Sequence, residues 1–83
     1  MTTLATLPIA WTARIVTLAL DEVEARRVRA VGVYEDEAIT VLRRAPFGGP
    51  IHVRTASGGE FALDRRIALG IAVEIADLSE AAE

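Results

Sequence analysis

The run Ile51-His52-Val53-Arg54-Thr55-Ala56-Ser57-Gly58-Gly59-Glu60-Phe61-Ala62-Leu63 decides the fold of this 83-residue chain. Ile51 and Val53 share one face of an extended segment, and His52 and Arg54 share the other, because side chains in a strand alternate with a period of two. Phe61 and Leu63 alternate in the same way against Glu60, Ala62 and Asp64. Gly58-Gly59 lies between the two runs, and both positions can take positive φ, so a hairpin is expected. Outward from it the same period recurs. Ile71, Val73 and Ile75 alternate against Ala72, Glu74 and Ala76, while Ala38 to Arg44 is a further strand that alternates less cleanly. Pro46-Phe47-Gly48-Gly49-Pro50 is a longer turn joining the strands on either side of it.

The N-terminal third differs. Ala13 to Leu18 is rich in β-branched residues and reads as a first strand. Asp21 then stands as an N-cap with Glu24 three residues on, a capping-box pattern. Glu22 and Arg26 follow at i,i+4 in the favourable order. Gly32, after Val28-Arg29-Ala30-Val31, is placed to take the left-handed position that ends a helix. A helix is therefore expected over Glu22 to Val31. Five short strands with tight turns and one inserted helix describe a small, strongly bent sheet or barrel, in which closure removes edges that a chain this short cannot otherwise cover. One domain is expected over residues 1–78, with residues 79–83 as a loose tail.

Composition narrows the chemistry. Without cysteine there are no disulfides, thiolate metal sites or cysteine nucleophiles. The net charge of −3 argues against a general nucleic-acid binder, although all nine cations are arginines. The apolar stretch from Leu4 to Leu20 is broken by Pro8 and Arg14. It lacks the basic lead and small-residue cleavage site of a signal peptide, and it is too interrupted to span a bilayer. A cytoplasmic protein that does not insert into the membrane is expected, one that at most docks on a membrane partner at the inner face. With one histidine, His52, an intramolecular zinc or iron site is not expected, and no cofactor is assigned. A symmetric dimer could pair two such histidines. Glu35-Asp36-Glu37 reads as a solvated acidic turn, since consecutive residues point in different directions. Trp11 and Tyr34 are expected to plug the core, because few other large side chains are present. No phosphate-binding loop and no nucleophile–histidine–acid set occurs, so an enzyme is not expected.

The segment Arg44-Ala45-Pro46-Phe47-Gly48-Gly49-Pro50-Ile51-His52-Val53 resembles the motif of the FeoA family. Leu4 and Leu7, Ala13 to Val16, the arginine-bearing helix ending at Gly32, and Phe61-Ala62-Leu63-Asp64-Arg65-Arg66 extend the resemblance over most of the chain. It departs where the family usually carries Pro-Gly turns: those positions read Ile9-Ala10 and Glu35-Asp36 here. The acid common between Gly48 and Pro50 is Gly49. The resemblance implies an SH3-like barrel with a single helical turn before the last strand. It also implies a cytoplasmic accessory role with FeoB, a membrane ferrous-iron permease that carries a GTPase domain. The alternative it implies is a stand-alone regulatory relative of the C-terminal domain of iron-dependent transcriptional repressors. The candidate partner-binding residues are Arg43, Arg44, Pro46, Phe47, Gly48, Gly49, Pro50 and Arg54. Phe47 is either an exposed anchor or a cap over the barrel end. Weak self-association through strand exchange or edge pairing is a further possibility of the glycine-rich hairpins.

Overall fold

The structure, a computed structural model, describes residues 2–75. The tail expected over residues 79–83, and the end of the domain before it, lie outside the described residues. The elements run β1 (Thr12–Leu18), α1 (Glu22–Ala30), β2 (Ala38–Arg44), β3 (Ile51–Thr55), β4 (Glu60–Leu63), α2 (Arg65–Leu69) and β5 (Ile71–Glu74). The strands form one antiparallel sheet in the order β4-β3-β2-β1-β5. This is the expected mainly β, SH3-like plan, with the helix after the first strand and a short helix before the last. It takes the bent-sheet form, since β4 and β5 are the two ends of the strand order and do not pair with each other.

Two irregularities bend the sheet, and one of them shapes the site. In β2, Val41 pairs with Val53 and Arg43 with His52, so Leu42 is an extra residue. Such a bulge resets the alternation by one position. Ile39 and Val41 point into the core, and without the bulge Arg43 would follow them. With it, Arg43 sits opposite His52 on the outer face and Arg44 sits opposite the buried Ile51. The imperfect alternation of this strand is the sequence trace of that shift. A second bulge leaves Val16 of β1 unpaired with β5 and exposed.

The caps of α1 are nearly as expected. Asp21 accepts the Glu24 backbone N–H at 2.8 Å. The Glu24 carboxylate does not return to close a capping box; it accepts from Arg66 at 2.5 Å and so ties α1 to α2. At the other end Gly32 has φ of 102°. Its N–H donates to Arg29 O, and Val33 N–H donates to Val28 O at 2.9 Å. These two bonds and the burial of both Val28 and Val33 make a complete Schellman ending.

The hairpin between β3 and β4 is one residue longer than a two-glycine turn. Gly58 N–H donates to Thr55 O, and Thr55 N–H donates to Gly59 O, both at 2.9 Å. Only Gly58 has positive φ, 96°. That is a type I turn closed by a left-handed glycine, the usual three-residue loop.

The core is aliphatic. Leu4, Leu7, Ile15, Val33, Ile39, Val41, Ile51, Val53 and Ile71 are almost completely buried. Leu4 and Leu7 come from the segment before β1, which lies along β5. Thr3 bridges Ala72, Leu4 N–H donates to Ile71 O, and Val73 N–H donates to Thr2 O. These aliphatics fill the interior, and Phe61, half-buried, packs against them from β4. Trp11 and Tyr34 are not core plugs: they are 38% and 41% exposed, each in a turn that leads toward a strand.

Those turns stand where the family's Pro-Gly pairs would be. Trp11 N–H donates to Pro8 O, and Glu37 N–H donates to Tyr34 O. In each turn the third residue has φ of 74°: Ala10 in the first and Asp36 in the second. The turn geometry that glycine normally serves is thus kept by residues that pay a steric cost for it. Replacing Ala10 by glycine should therefore stabilise the chain by about 0.5–1 kcal/mol, the relief of Cβ strain less the added chain entropy. Thermal unfolding should register this as a rise of about 3–6 °C. A fall in melting temperature would show that Ala10 carries no strain.

Candidate functional site

The loop between β2 and β3 is held at its base by Ala45 N–H donating to Pro50 O at 2.9 Å. Within it Gly49 N–H donates to Pro46 O at 3.2 Å. The two residues between, Phe47 and Gly48, have φ of 60° and 72°. Two consecutive positive φ values mark a type I′ turn, for which an aromatic residue is a poor choice. The turn points the Phe47 ring outward: it is 103% exposed and touches no part of the core. Of the two positions the sequence left open for Phe47, the exposed tip is the one adopted.

The arginines around this loop divide by what they already hold. The bulge at Leu42 turns Arg44 toward the N-terminal segment, where its Nε donates to Ala5 O at 3.0 Å and its Nη2 to Leu7 O. Arg54 pairs with Glu60 across the hairpin at 3.3 Å. It lies three residues along β3 from Ile51, about 10 Å from the loop at the usual rise per residue. Arg43 is exposed beside the loop and makes no ion pair among the described residues. Arg65, which was not singled out in the sequence, also makes none among them. A Cβ placed on Gly48 would lie 3.7 Å from Arg65 Cδ, so the Arg65 stem runs against the loop. The structure thus brings together Pro46 to Pro50, Arg43 and Arg65, commits Arg44 to the N-terminal segment, and leaves Arg54 apart. Arg65 had no signal in the strand periodicity, because its position depends on where α2 begins. The one usable sign was Asp64 as a cap: its side chain accepts Arg66 N–H at 2.9 Å and sets that start.

His52, the outward neighbour of Arg43, is only partly exposed, with Nε2 3.9 Å from a Glu60 carboxylate oxygen. No three of the metal-ligating types His, Cys, Asp and Glu gather among the described residues. The acidic turn is tied back to the domain. Glu35 pairs with Arg29 at 3.0 Å, and Asp36 with Arg14 at 2.8 Å. The backbone N–H of Glu35 itself, and then Arg29, hold the Glu35 carboxyl below its usual pKa. Arg14 also pairs with Glu74 of β5, and that bond above all raises its already high pKa. No helix among the described residues is long and apolar enough to cross a membrane.

An open five-stranded antiparallel sheet, a helix after its first strand, and a projecting aromatic loop in place of a cleft define a small SH3-like domain. The model of the FeoA domain family matches residues 2–75, so the chain belongs to that family. The solution structure of FeoA from Chlorobium tepidum is 29% identical, with a TM-score of 0.82 over 90% of this chain and 70% of that one. FeoA of Stenotrophomonas maltophilia, solved with zinc and described as a prokaryotic SH3 domain protein, is 27% identical, with a TM-score of 0.72 over 89% of this chain and 91% of its own. A manganese-dependent transcriptional repressor is 26% identical, with a TM-score of 0.79, but the match covers 87% of this chain and only 35% of the repressor. No curated protein matches the chain.

Proposed function

We propose that this chain is a cytoplasmic accessory protein of ferrous iron transport that binds and modulates the FeoB permease, with its GTPase domain, through protein–protein contacts. Membership of a family linked to iron transport supports the system. The observation that carries the mode of action is Phe47, a fully exposed aromatic held on a rigid turn of unfavourable backbone geometry. Strained residues of this kind cluster at functional sites, and buried aromatics are the usual anchors of a protein interface. The interaction surface is the Pro46–Pro50 loop with its neighbouring arginines. Arg43 and Arg65 supply charge for an acidic partner, which would act on orientation and association rate more than on affinity.

The test is calorimetric titration of the chain against detergent-solubilised FeoB from the same organism, with wild type and Phe47→Ala compared. The substitution should weaken binding at least about tenfold, as for a central anchor. Its melting temperature should stay level, because the ring contributes no packing. Equal affinity in the two proteins would remove Phe47 from the interface.

The likeness to part of a manganese-dependent repressor favours one second reading, a stand-alone regulatory domain that acts on a transcription factor. Binding to a helix-turn-helix partner, with none to FeoB, would select it.

A further inference from the structure

The two edges of the sheet are treated differently. The β5 edge is covered by the chain's own N-terminal segment through the Thr3–Ala72 bridge and the bonds of Thr2 and Leu4. At the other end of the strand order, β4 has β3 as its only strand neighbour among the described residues. The hairpin fixes which backbone groups of β4 face outward. From the closed Thr55–Gly59 pair the antiparallel ladder alternates. Val53 with Phe61 and Ile51 with Leu63 therefore exchange bonds inside the sheet. Glu60 and Ala62 turn their N–H and C=O groups to the free side, and both residues are exposed.

This edge runs into the loop site. Two shallow depressions meet at Pro50 and Ala62, one reaching Gly48, Asp64 and Arg65, the other Pro46, Arg43 and His52. Arg43 and Arg65, which make no ion pair among the described residues, thus stand at the end of the open edge. A second copy of this chain fits poorly there. Pairing β4 with its own two-fold image at Ala62 would set Glu60 opposite the partner's Asp64, a like-charge pair.

We propose that β4 is a strand-addition site, and that its occupant is an extended segment of the partner, uncharged where it passes Glu60 and carrying a carboxylate at the loop end. This rests on the reading of the chain as a FeoB-binding module and specifies the contact. Main-chain bonds from Glu60 and Ala62 hold the segment, the recognition mode in which a peptide extends an exposed sheet. A carboxylate on the segment meets Arg65 or Arg43 at the loop end, and Phe47 covers an apolar neighbour.

Ala62→Pro is the informative variant. Proline removes an N–H that faces outward and takes no part in the ladder with β3, and edge strands accept proline at such positions. Amide exchange should be followed in the wild-type chain, free and with detergent-solubilised FeoB, and binding of Ala62→Pro measured in parallel. The expected result has four parts. The Glu60 and Ala62 amides exchange freely in the unbound chain. FeoB slows them at least about tenfold. Ala62→Pro keeps the wild-type melting temperature, and it binds at least about tenfold more weakly. Wild-type binding that leaves both amides exchanging as before would overturn the strand-addition site while leaving the Phe47 surface in place. No wild-type binding would overturn both readings. Protection of these amides in the free chain would also overturn the proposal, and loss of that protection on dilution would assign the edge to a second copy. If Ala62→Pro proves unfolded, the wild-type exchange experiment decides alone.

Discussion

Arg44→Ala should cost the chain about 2–3 kcal/mol of folding stability, even though Arg44 is a charged residue on a strand at the surface. Surface arginines normally contribute far less, because a solvated ion pair is worth about 0–1 kcal/mol. Arg44 is not in an ion pair. Its guanidinium donates to the carbonyls of Ala5 and Leu7, two residues that are 3% and 0% exposed. A bond from a charged donor is worth about 1.5–3 kcal/mol, and a buried acceptor left unmet adds its own desolvation cost. Arg44 also holds the segment that delivers Leu4 and Leu7 to the core. A fall in melting temperature of roughly 10–20 °C is the expected thermal signature for a domain of this size. Arg44→Lys should recover less than half of the loss, because a single ammonium cannot reproduce a fork that spans two carbonyls. A melting temperature for Arg44→Ala within about 3 °C of wild type would show that the N-terminal segment is held by its leucines alone. The same variant bears on the site. Weakened FeoB binding by Arg44→Ala, in proportion to its unfolding, would identify Arg44 as a brace for the fold and not as a contact.

This residue shows what the sequence could and could not give. The strands were legible because burial on one face writes a period of two, and Ile51, Val53, Phe61, Leu63, Ile71 and Val73 keep that period. The ends of α1 were legible because caps are local: Asp21 and Gly32 act on atoms within a few residues. The bonds of Arg44 to Ala5 and Leu7 were not legible, because its inward turn depends on the bulge at Leu42, and a bulge is decided by the neighbouring strand. The place of Arg65 beside the loop was hidden for the same kind of reason, since only the folded chain sets its stem against Gly48. Trp11 and Tyr34 were misplaced because size was taken as a guide to burial, whereas the aliphatic residues already close the core. The departures at Ile9-Ala10 and Glu35-Asp36 were visible, but the retained left-handed geometry was not. It is imposed by the register of β1 against β2, whatever residue stands at the turn.

Gly70→Ala should be as damaging as the loss of Arg44, and nothing in the pattern of the sequence marks this glycine. Its backbone is ordinary, with φ of −90° and ψ of 1° at the end of α2, so an alanine meets no conformational barrier there. The obstacle is space. A Cβ at this position would lie 2.7 Å from Ala19 O and 2.6 Å from Leu20 Cδ2. The leucine can rotate away, but the carbonyl belongs to the backbone that follows β1. It cannot retreat freely, because Ala19 N–H donates to Gly70 O at 2.6 Å. The close approach that excludes the methyl group is therefore the same one that joins the end of β1 to the start of β5. Relief requires parting those two segments and weakening the pairing of Leu18 with Ile71. Overpacking of this kind costs about 1–3 kcal/mol, and the lost backbone bond adds about 1 kcal/mol. Chemical denaturation should show a lower midpoint with an unchanged slope, since the surface exposed on unfolding is the same. Amide exchange at Ala19 should accelerate more than exchange at Val53, far across the sheet. Wild-type stability in Gly70→Ala would mean that β1 and β5 can part at this end without cost, and that the contact at Gly70 does not hold the sheet together there.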